Sequence, residues 1–215
     1  MAKEKLNDAV NENRAIKYKK VIANRQEITI ILENVYDPHN IGAVVRSCDA
    51  VGISEIFIVE TTINQNLAYK KVGKNSSSGA RKWIKTHCFE NLESCFTEVR
   101  SRYKKIFGTH LSTESVSLYD LELTDPVALM FGNEQLGLSS EALTMIDGNF
   151  IIPQYGMVQS LNISVACAVS LFEASRQRSV RNMYNQPFDD KNTSHSEMFD
   201  WFASKHIDYV RNKEK

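Results

Sequence analysis

Three short stretches of this 215-residue chain carry polar side chains at spacings that could do chemistry. The first runs Glu33-Asn34-Val35-Tyr36-Asp37-Pro38-His39-Asn40-Ile41-Gly42-Ala43-Val44-Val45-Arg46 and leads from an apolar strand pattern into a helical one. Asn40 can cap that helix, Gly42 lets another backbone come close, and Arg46 projects from the second turn. Taken alone, such an arginine reads as a surface ion-pair residue. The second stretch, Leu129-Met130-Phe131-Gly132-Asn133-Glu134-Gln135-Leu136-Gly137-Leu138, ends an apolar strand in a turn where two glycines flank polar residues. Loops at the C-terminal ends of parallel strands are where α/β folds place ligands. The third, Ile151-Ile152-Pro153-Gln154-Tyr155-Gly156-Met157-Val158-Gln159-Ser160-Leu161-Asn162-Ile163-Ser164-Val165-Ala166, sends a strand into Pro-x-x-Gly and sets Ser160 and Asn162 where a helix begins. Backbone amides at a helix start suit anionic or polar groups. Ser160 alone also reads as a plain N-cap.

The elements that must hold these residues follow from apolar periodicity. Strands are predicted over 27–32, 55–59, 105–108, 127–131 and 150–152, and helices over 41–51, 92–102 and 139–146. Their alternation implies an α/β domain with a mostly parallel sheet and helices on both faces. The helix starting near Ser160 puts Leu161, Val165, Ala168 and Phe172 on one stripe, the pattern of a packed helix. Residues 3–20 and 194–210 also read as helical; the second segment gathers Met198, Phe199, Trp201, Phe202 and Ile207 on a partly apolar face, expected to dock on the domain or on a partner. No segment matches GxGxxG, so a nicotinamide-binding reading lacks its phosphate-cradling turn.

A composition of 42% hydrophobic and 24% charged residues is that of an ordinary globular domain. The N-terminal stretch is polar and no apolar run reaches the ~20 residues that span a bilayer, which predicts a cytoplasmic protein without a membrane partner. Cys48, Cys88, Cys95 and Cys167 lack metal-site spacing and read as reduced, mostly buried thiols, with no metal implied. The formal net charge is zero, yet it is unevenly spread: residues 69–85 hold six basic and no acidic side chains, whereas 112–148 hold seven acidic and no basic ones. A phosphate backbone responds to such local potential rather than to the sum.

Taken together and in this order, the patterns N-x-x-x-x-x-R, F-G-x-E-x-x-G-L and I-P-x-x-G-x-x-x-S-L-N-x-S-V-A resemble the signature of the SpoU branch of the SPOUT methyltransferases. Within that family, Gly108-Thr109-His110-Leu111-Ser112, Ser78-Gly79-Ala80-Arg81-Lys82-Trp83, Gly156-Met157-Val158-Gln159-Ser160-Leu161-Asn162 and Glu173-Ala174-Ser175-Arg176-Gln177-Arg178 are similar to the TrmH-type subtype that methylates tRNA guanosine 18. The resemblance implies a SPOUT-type α/β fold with a C-terminal trefoil knot over residues 27–184, helical extensions at 1–26 and 185–215, and a homodimer. It implies S-adenosylmethionine as cofactor, held around Thr109, Gly132, Ile152, Met157 and Leu161.

The same resemblance assigns Arg46 the activation of a ribose 2′-hydroxyl, supported by Asn40, Glu134, Ser160 and Asn162. Guanidinium stays protonated across the working pH range, so a charged Arg46 that stabilises the developing alkoxide and grips a phosphate is preferred to an arginine base. Lys70, Lys71, Lys74, Arg81, Lys82, Arg176, Arg178 and Arg181 are the tRNA-contact candidates. Ribosomal-RNA members often carry a separate N-terminal RNA-binding domain, for which 26 residues ahead of the first strand give no room; this favours tRNA. Ribosomal RNA as substrate, or a non-catalytic RNA-binding protein, are the alternatives.

Overall fold

The computed structural model describes residues 10–61 and 79–211, which fall into two compact units, one spanning 26–181 and one made of the terminal segments 1–25 and 182–215. In the larger unit the elements are β1 (Ile28–Glu33), α2 (Pro38–Ala50), β2 (Glu55–Val59), β3 (Lys85–Phe89), α3 (Leu92–Arg100), β4 (Lys105–Thr109), β5 (Val116–Ser117), β6 (Val127–Phe131), α4 (Ser140–Met145), β7 (Gly148–Ile151) and α5 (Ile163–Val180). The terminal unit holds α1 (Glu12–Ile22) and α6 (Thr193–Arg211).

All seven strands form one parallel sheet in the order β3-β2-β1-β6-β4-β7-β5. Side chains alternate across a pleat, and the two faces acquire separate cores. Ile28, Ile30, Leu32, Ile56, Ile58, Leu129 and Phe131 pack against α2 and α5 through Ile41, Val44, Val45, Cys48, Cys167 and Leu171. Ile31, Phe57, Val59, Ala128 and Met130 pack against α3 and α4 through Leu92, Cys95, Phe96, Val99 and Ala142. Helices thus cover both faces, and β1, β2 and β6 are buried along their whole length, which is why they read as unbroken apolar runs.

Within 26–181 the predicted strands and helices are present with end shifts of a few residues, and β3 and β5 are additional; of the helix expected over 3–20, residues 3–9 lie outside the described residues and α1 begins only at Glu12. β3 escaped the sequence reading because Lys85-Thr86-His87-Cys88-Phe89 is an edge strand of half-exposed, mixed polarity. Two caps differ from expectation. Asp37, not Asn40, caps α2 by accepting from the His39 amide at 2.8 Å; Asn162, not Ser160, caps α5 by accepting from the Ser164 amide at 2.9 Å. The stripe of α5 expected to pack is also displaced. Ile163, Cys167, Ser170, Leu171, Ala174 and Arg178 form the buried face, while Val165 and Phe172 are 47% and 56% exposed.

In the terminal unit α1 packs on α6, with Tyr18 edge-on to Phe202 at 5.4 Å between ring centroids and Ile22 and Phe202 buried. The apolar face of α6 therefore finds its partner in α1. All four cysteines are free thiols; Cys48, Cys95 and Cys167 are buried and Cys88 is exposed. No described helix is long and apolar enough to cross a membrane.

Candidate active site at the strand ends

The second motif is a loop tied down at both ends. Asn133 and Gly137 exchange backbone hydrogen bonds of 3.0 and 2.8 Å, and the Asn133 Oδ1 accepts from the amides of Gln135 and Leu136. A Cβ on Gly132 would lie 2.1 Å from the Gly137 carbonyl carbon, so only glycine lets the two strands of the loop pass this closely. The loop is also fastened to the first motif. Asn133 Nδ2 donates to the Asn34 carbonyl at 2.9 Å, and the buried Glu33 carboxylate accepts from the Ser139 amide at 3.0 Å. Asn34 itself sits at φ 52°, a left-handed turn that asparagine tolerates best after glycine.

With the loop so placed, one hydrogen-bonded chain joins all three motifs. Asn40 Nδ2 donates to Glu134 Oε1 at 2.8 Å, Asn162 Nδ2 donates to Asn40 Oδ1 at 3.1 Å, and Asn162 Oδ1 accepts from both the amide and the hydroxyl of Ser164, at 2.9 and 2.6 Å. The helix amide can only donate, so it fixes the Asn162 oxygen; that turns its NH2 toward Asn40, and Asn40 in turn offers its NH2 to a carboxylate. The relay therefore runs in one direction, from the α5 N-terminus to Glu134.

Arg46 stands apart from this relay. Six residues beyond Asn40 on α2, it is displaced by about 9 Å along the axis and about 120° around it. There it lines a depression with Asp49, Ala50, Gly79, Ala80, Lys82 and Trp83. Its guanidinium is exposed and, among the described residues, has no hydrogen-bond or ion-pair partner.

The residues implied for the cofactor converge through topology. Thr109 ends β4, Gly132 follows β6 and Ile152 follows β7, and these three strands are neighbours, with Gly108 opposite Met130 and Thr109 opposite Phe150. The segment 152–162 leads away from this edge to α5; within it Met157 and Ser160 are exposed, whereas Leu161 is half-buried. Leu136, Tyr155 and Met157 are 87%, 98% and 99% exposed, an unusual concentration of apolar side chains at one end of a sheet. The Gln154 Oε1 in the same segment is buried without a hydrogen-bond partner among the described residues. Apolar walls, strand-end backbone and an unsatisfied acceptor fit a nucleoside-bearing group such as S-adenosylmethionine.

The basic candidates divide. Lys70, Lys71 and Lys74 lie outside the described residues. Exposed Lys82 lines the depression beside Arg46, whereas half-buried Arg81 lies in the short helix Ala80–Lys82 and is not part of that lining. Arg176 is exposed and clasps Glu173 through two 2.8 Å hydrogen bonds, and exposed Arg181 lies 3.5 Å from Glu122. Arg178 is a correction. It is fully buried, its guanidinium donating to the carbonyls of Leu123 (2.9 Å), Glu27 (3.0 Å) and Asp125 (2.7 Å), and so is not placed to meet RNA. Sequence reasoning also missed Asn34 and Asn133; an Asn-rich turn on each side of two motifs was the available signal.

A parallel α/β sheet whose strand ends carry a polar relay and an apolar cradle defines a ligand-binding protein of the parallel-sheet class. More narrowly, the chain belongs to the SpoU rRNA methylase family, which matches residues 27–172. It is 37% identical over 191 residues to the tRNA (guanosine(18)-2′-O)-methyltransferase of Thermus thermophilus, covering 88% of this chain and 96% of that one. Among solved structures it is similar to the A. aeolicus TrmH/SpoU tRNA modifying enzyme, with a TM-score of 0.80 at 32% identity over 91% of this chain and 98% of that one. An AdoMet-bound rRNA methyltransferase from Sinorhizobium meliloti gives a TM-score of 0.59 at 29% identity, over 72% of this chain and 59% of that one.

Proposed function

We propose that this protein transfers a methyl group from S-adenosylmethionine to the ribose 2′-hydroxyl of guanosine 18 in tRNA. The observation that carries the reading is the relay from Ser164 through Asn162 and Asn40 to Glu134, which draws the three motifs into one site at the strand ends. The Thermus thermophilus relative, matched along 96% of its length, supports tRNA over ribosomal RNA.

The cofactor supplies an electrophilic methyl on a sulfonium; the chain's residues bind, orient and stabilise around it. Thr109, Gly132, Ile152, Met157 and Leu161 hold the adenosine portion at the ends of β4, β6 and β7. Asn40 and Asn162, locked by the relay, position the ribose and the 152–162 loop together with Ser160, and positioning of this kind supplies much of a transfer rate. Arg46, acting as a fixed cation, stabilises the alkoxide as it develops, and the 2′-hydroxyl proton leaves to solvent water. Residues 27–184 form the methyltransferase domain, closed by a trefoil knot through the 152–162 segment, with 1–26 and 185–215 as helical extensions.

The family resemblance implies a homodimer that brings first-motif residues of one copy near the cofactor of the other, and Arg46 in this reading serves the cofactor site of a second copy. The exposed Val165 and Phe172 on α5 give that copy an apolar seat. The enzyme works in the cytoplasm, where its RNA is. The deciding experiment incubates the protein with labelled S-adenosylmethionine and an unmodified tRNA transcript and maps the label: methyl on the guanosine 18 ribose is expected. Label on a base or at another ribose overturns the reading, and no cofactor binding by calorimetry would leave an RNA-binding protein without transferase activity.

A further inference from the structure

On the flank of α2 away from the relay, Arg46, Asp49 and Ala50 face the turn 79–83 across a depression of about 320 Å³. That is the lower end of the roughly 300–1,000 Å³ typical of small-ligand clefts. Its construction is specific. Gly79, at φ 84°, makes a left-handed turn into the short helix Ala80–Lys82, and the small residues Ala50, Gly79 and Ala80 leave the space open. Trp83 and Lys82 then line it together with Arg46. Among the described lining residues two are cationic, Arg46 and Lys82, and one is anionic, Asp49.

An aromatic side chain beside a guanidinium and an ammonium matches one nucleotide better than it matches a peptide or a metabolite anion. Every base has a π-face for the indole, and the adjoining phosphate meets two donors of opposite geometry, a planar fork and a point charge. We infer that this depression is a single-nucleotide subsite, in which an unstacked base of the RNA lies on Trp83 while Lys82 and Arg46 grip the phosphate beside it. The inference rests on the RNA-methylating function proposed above and adds a platform, Trp83, that none of the three motifs contains. It also gives Arg46 a grip on the strand in addition to its work on the 2′-hydroxyl.

The test separates substrate capture from chemistry. Trp83→Leu, which keeps bulk without a π-face, should raise KM for an unmodified tRNA transcript roughly 5- to 150-fold, the loss expected of one stacked base. The kcat at saturating tRNA and the affinity for S-adenosylmethionine should be unchanged, and Trp83→Phe should recover most of the loss. The chain has two tryptophans, so in a Trp201→Phe background Trp83 reports alone; its fluorescence should be quenched saturably by the transcript, and Lys82→Ala should shift the titration to higher tRNA and reduce its salt dependence. This second measurement decides the matter should Trp83→Leu fail to fold. An unchanged KM in folded Trp83→Leu, or Trp83 emission indifferent to tRNA, overturns the subsite. Absence of methyl transfer by the unaltered protein alongside saturable Trp83 quenching would instead overturn the proposed reaction and leave the subsite standing.

Discussion

Asn40 Nδ2 donates to Glu134 Oε1 at 2.8 Å, across 94 residues of sequence, and the same Asn40 accepts from Asn162 through its oxygen. Both ends of one amide are thus committed, and the amide bridges the first motif to the second and third. A carboxylate at 134 acts as acceptor only, which sets the orientation of the whole chain back to α5.

Glu134→Gln should therefore be milder than Glu134→Ala. The glutamine Oε1 can still accept from Asn40, whereas alanine leaves the Asn40 NH2 without its partner and frees the relay to rotate. Single-turnover methylation should fall by about tenfold or more in Glu134→Ala, the scale of one charge-assisted hydrogen bond, with an intermediate loss in Glu134→Gln. Equal losses in both would mean that charge at 134, rather than relay geometry, matters.

Arg46→Ala should abolish methyl transfer and leave cofactor affinity, measured by calorimetry, nearly intact. Arg46→Lys replaces a planar fork by a point charge and should recover only part of the rate.

Gly132 and Gly156 make a matched pair. A Cβ on Gly132 meets the backbone of Gly137 and Leu138 at 2.1–2.3 Å, where nothing can move aside cheaply, whereas a Cβ on Gly156 meets nothing within 4 Å. Gly132→Ala should open the Glu134 loop, lowering the thermal midpoint and eliminating activity together. Gly156→Ala should leave the midpoint of the protein alone unchanged, so any loss of S-adenosylmethionine affinity in that variant locates the cofactor beside the 152–162 segment.

Much of this was legible in the residues. Glu55–Val59 and Val127–Phe131 are buried on both faces, so their runs of branched and aromatic residues identify them end to end. The site was legible as types, Asn40, Glu134 and Asn162, but not as geometry. Asn40 looked like a helix cap because it opens a helical pattern; Asp37 does that work two residues before His39, and this leaves the Asn40 side chain available to the relay. The α5 stripe misled for a related reason: Val165 and Phe172 are as apolar as the buried Leu171, and the helix direction toward the sheet is set by tertiary packing that no periodicity encodes.

Glu55 makes stability sensitive to acid. Burial pushes its carboxyl up, but the His87 hydrogen bond at 2.9 Å, the Arg102 charge and the Tyr103 hydroxyl at 3.0 Å outweigh it and hold the group below its ordinary value of 4.5. A carboxylate with a depressed folded-state pKa stabilises the protein above its unfolded value, and that contribution is lost as pH falls through the folded value. Urea midpoints should accordingly decline from pH 4.5 downward, and Glu55→Gln should be less stable at pH 7 yet show a shallower decline. A variant as steep as the parent would assign the acid sensitivity to other carboxylates.

Arg178 has the composition of an RNA-contact residue and the surroundings of a structural one. Its guanidinium satisfies the carbonyls of Glu27, Leu123 and Asp125, and so ties the start of β1 to the approach to β6 from inside the C-terminal half of α5. Arg178→Ala removes those donors, strands three carbonyls in a buried site and opens a cavity; the loss should exceed about 3 kcal/mol. Arg178→Lys retains one charge but cannot reproduce a planar fork aimed at four acceptors, the three carbonyls and the Gln26 Oε1, so it should recover only a fraction. The comparison is Arg176→Ala, whose exposed side chain clasps Glu173 alone among the described residues and which should leave the urea midpoint nearly unchanged. If Arg178→Ala instead kept its midpoint and lost tRNA affinity with a smaller salt slope, the buried clasp would not be what this arginine is for.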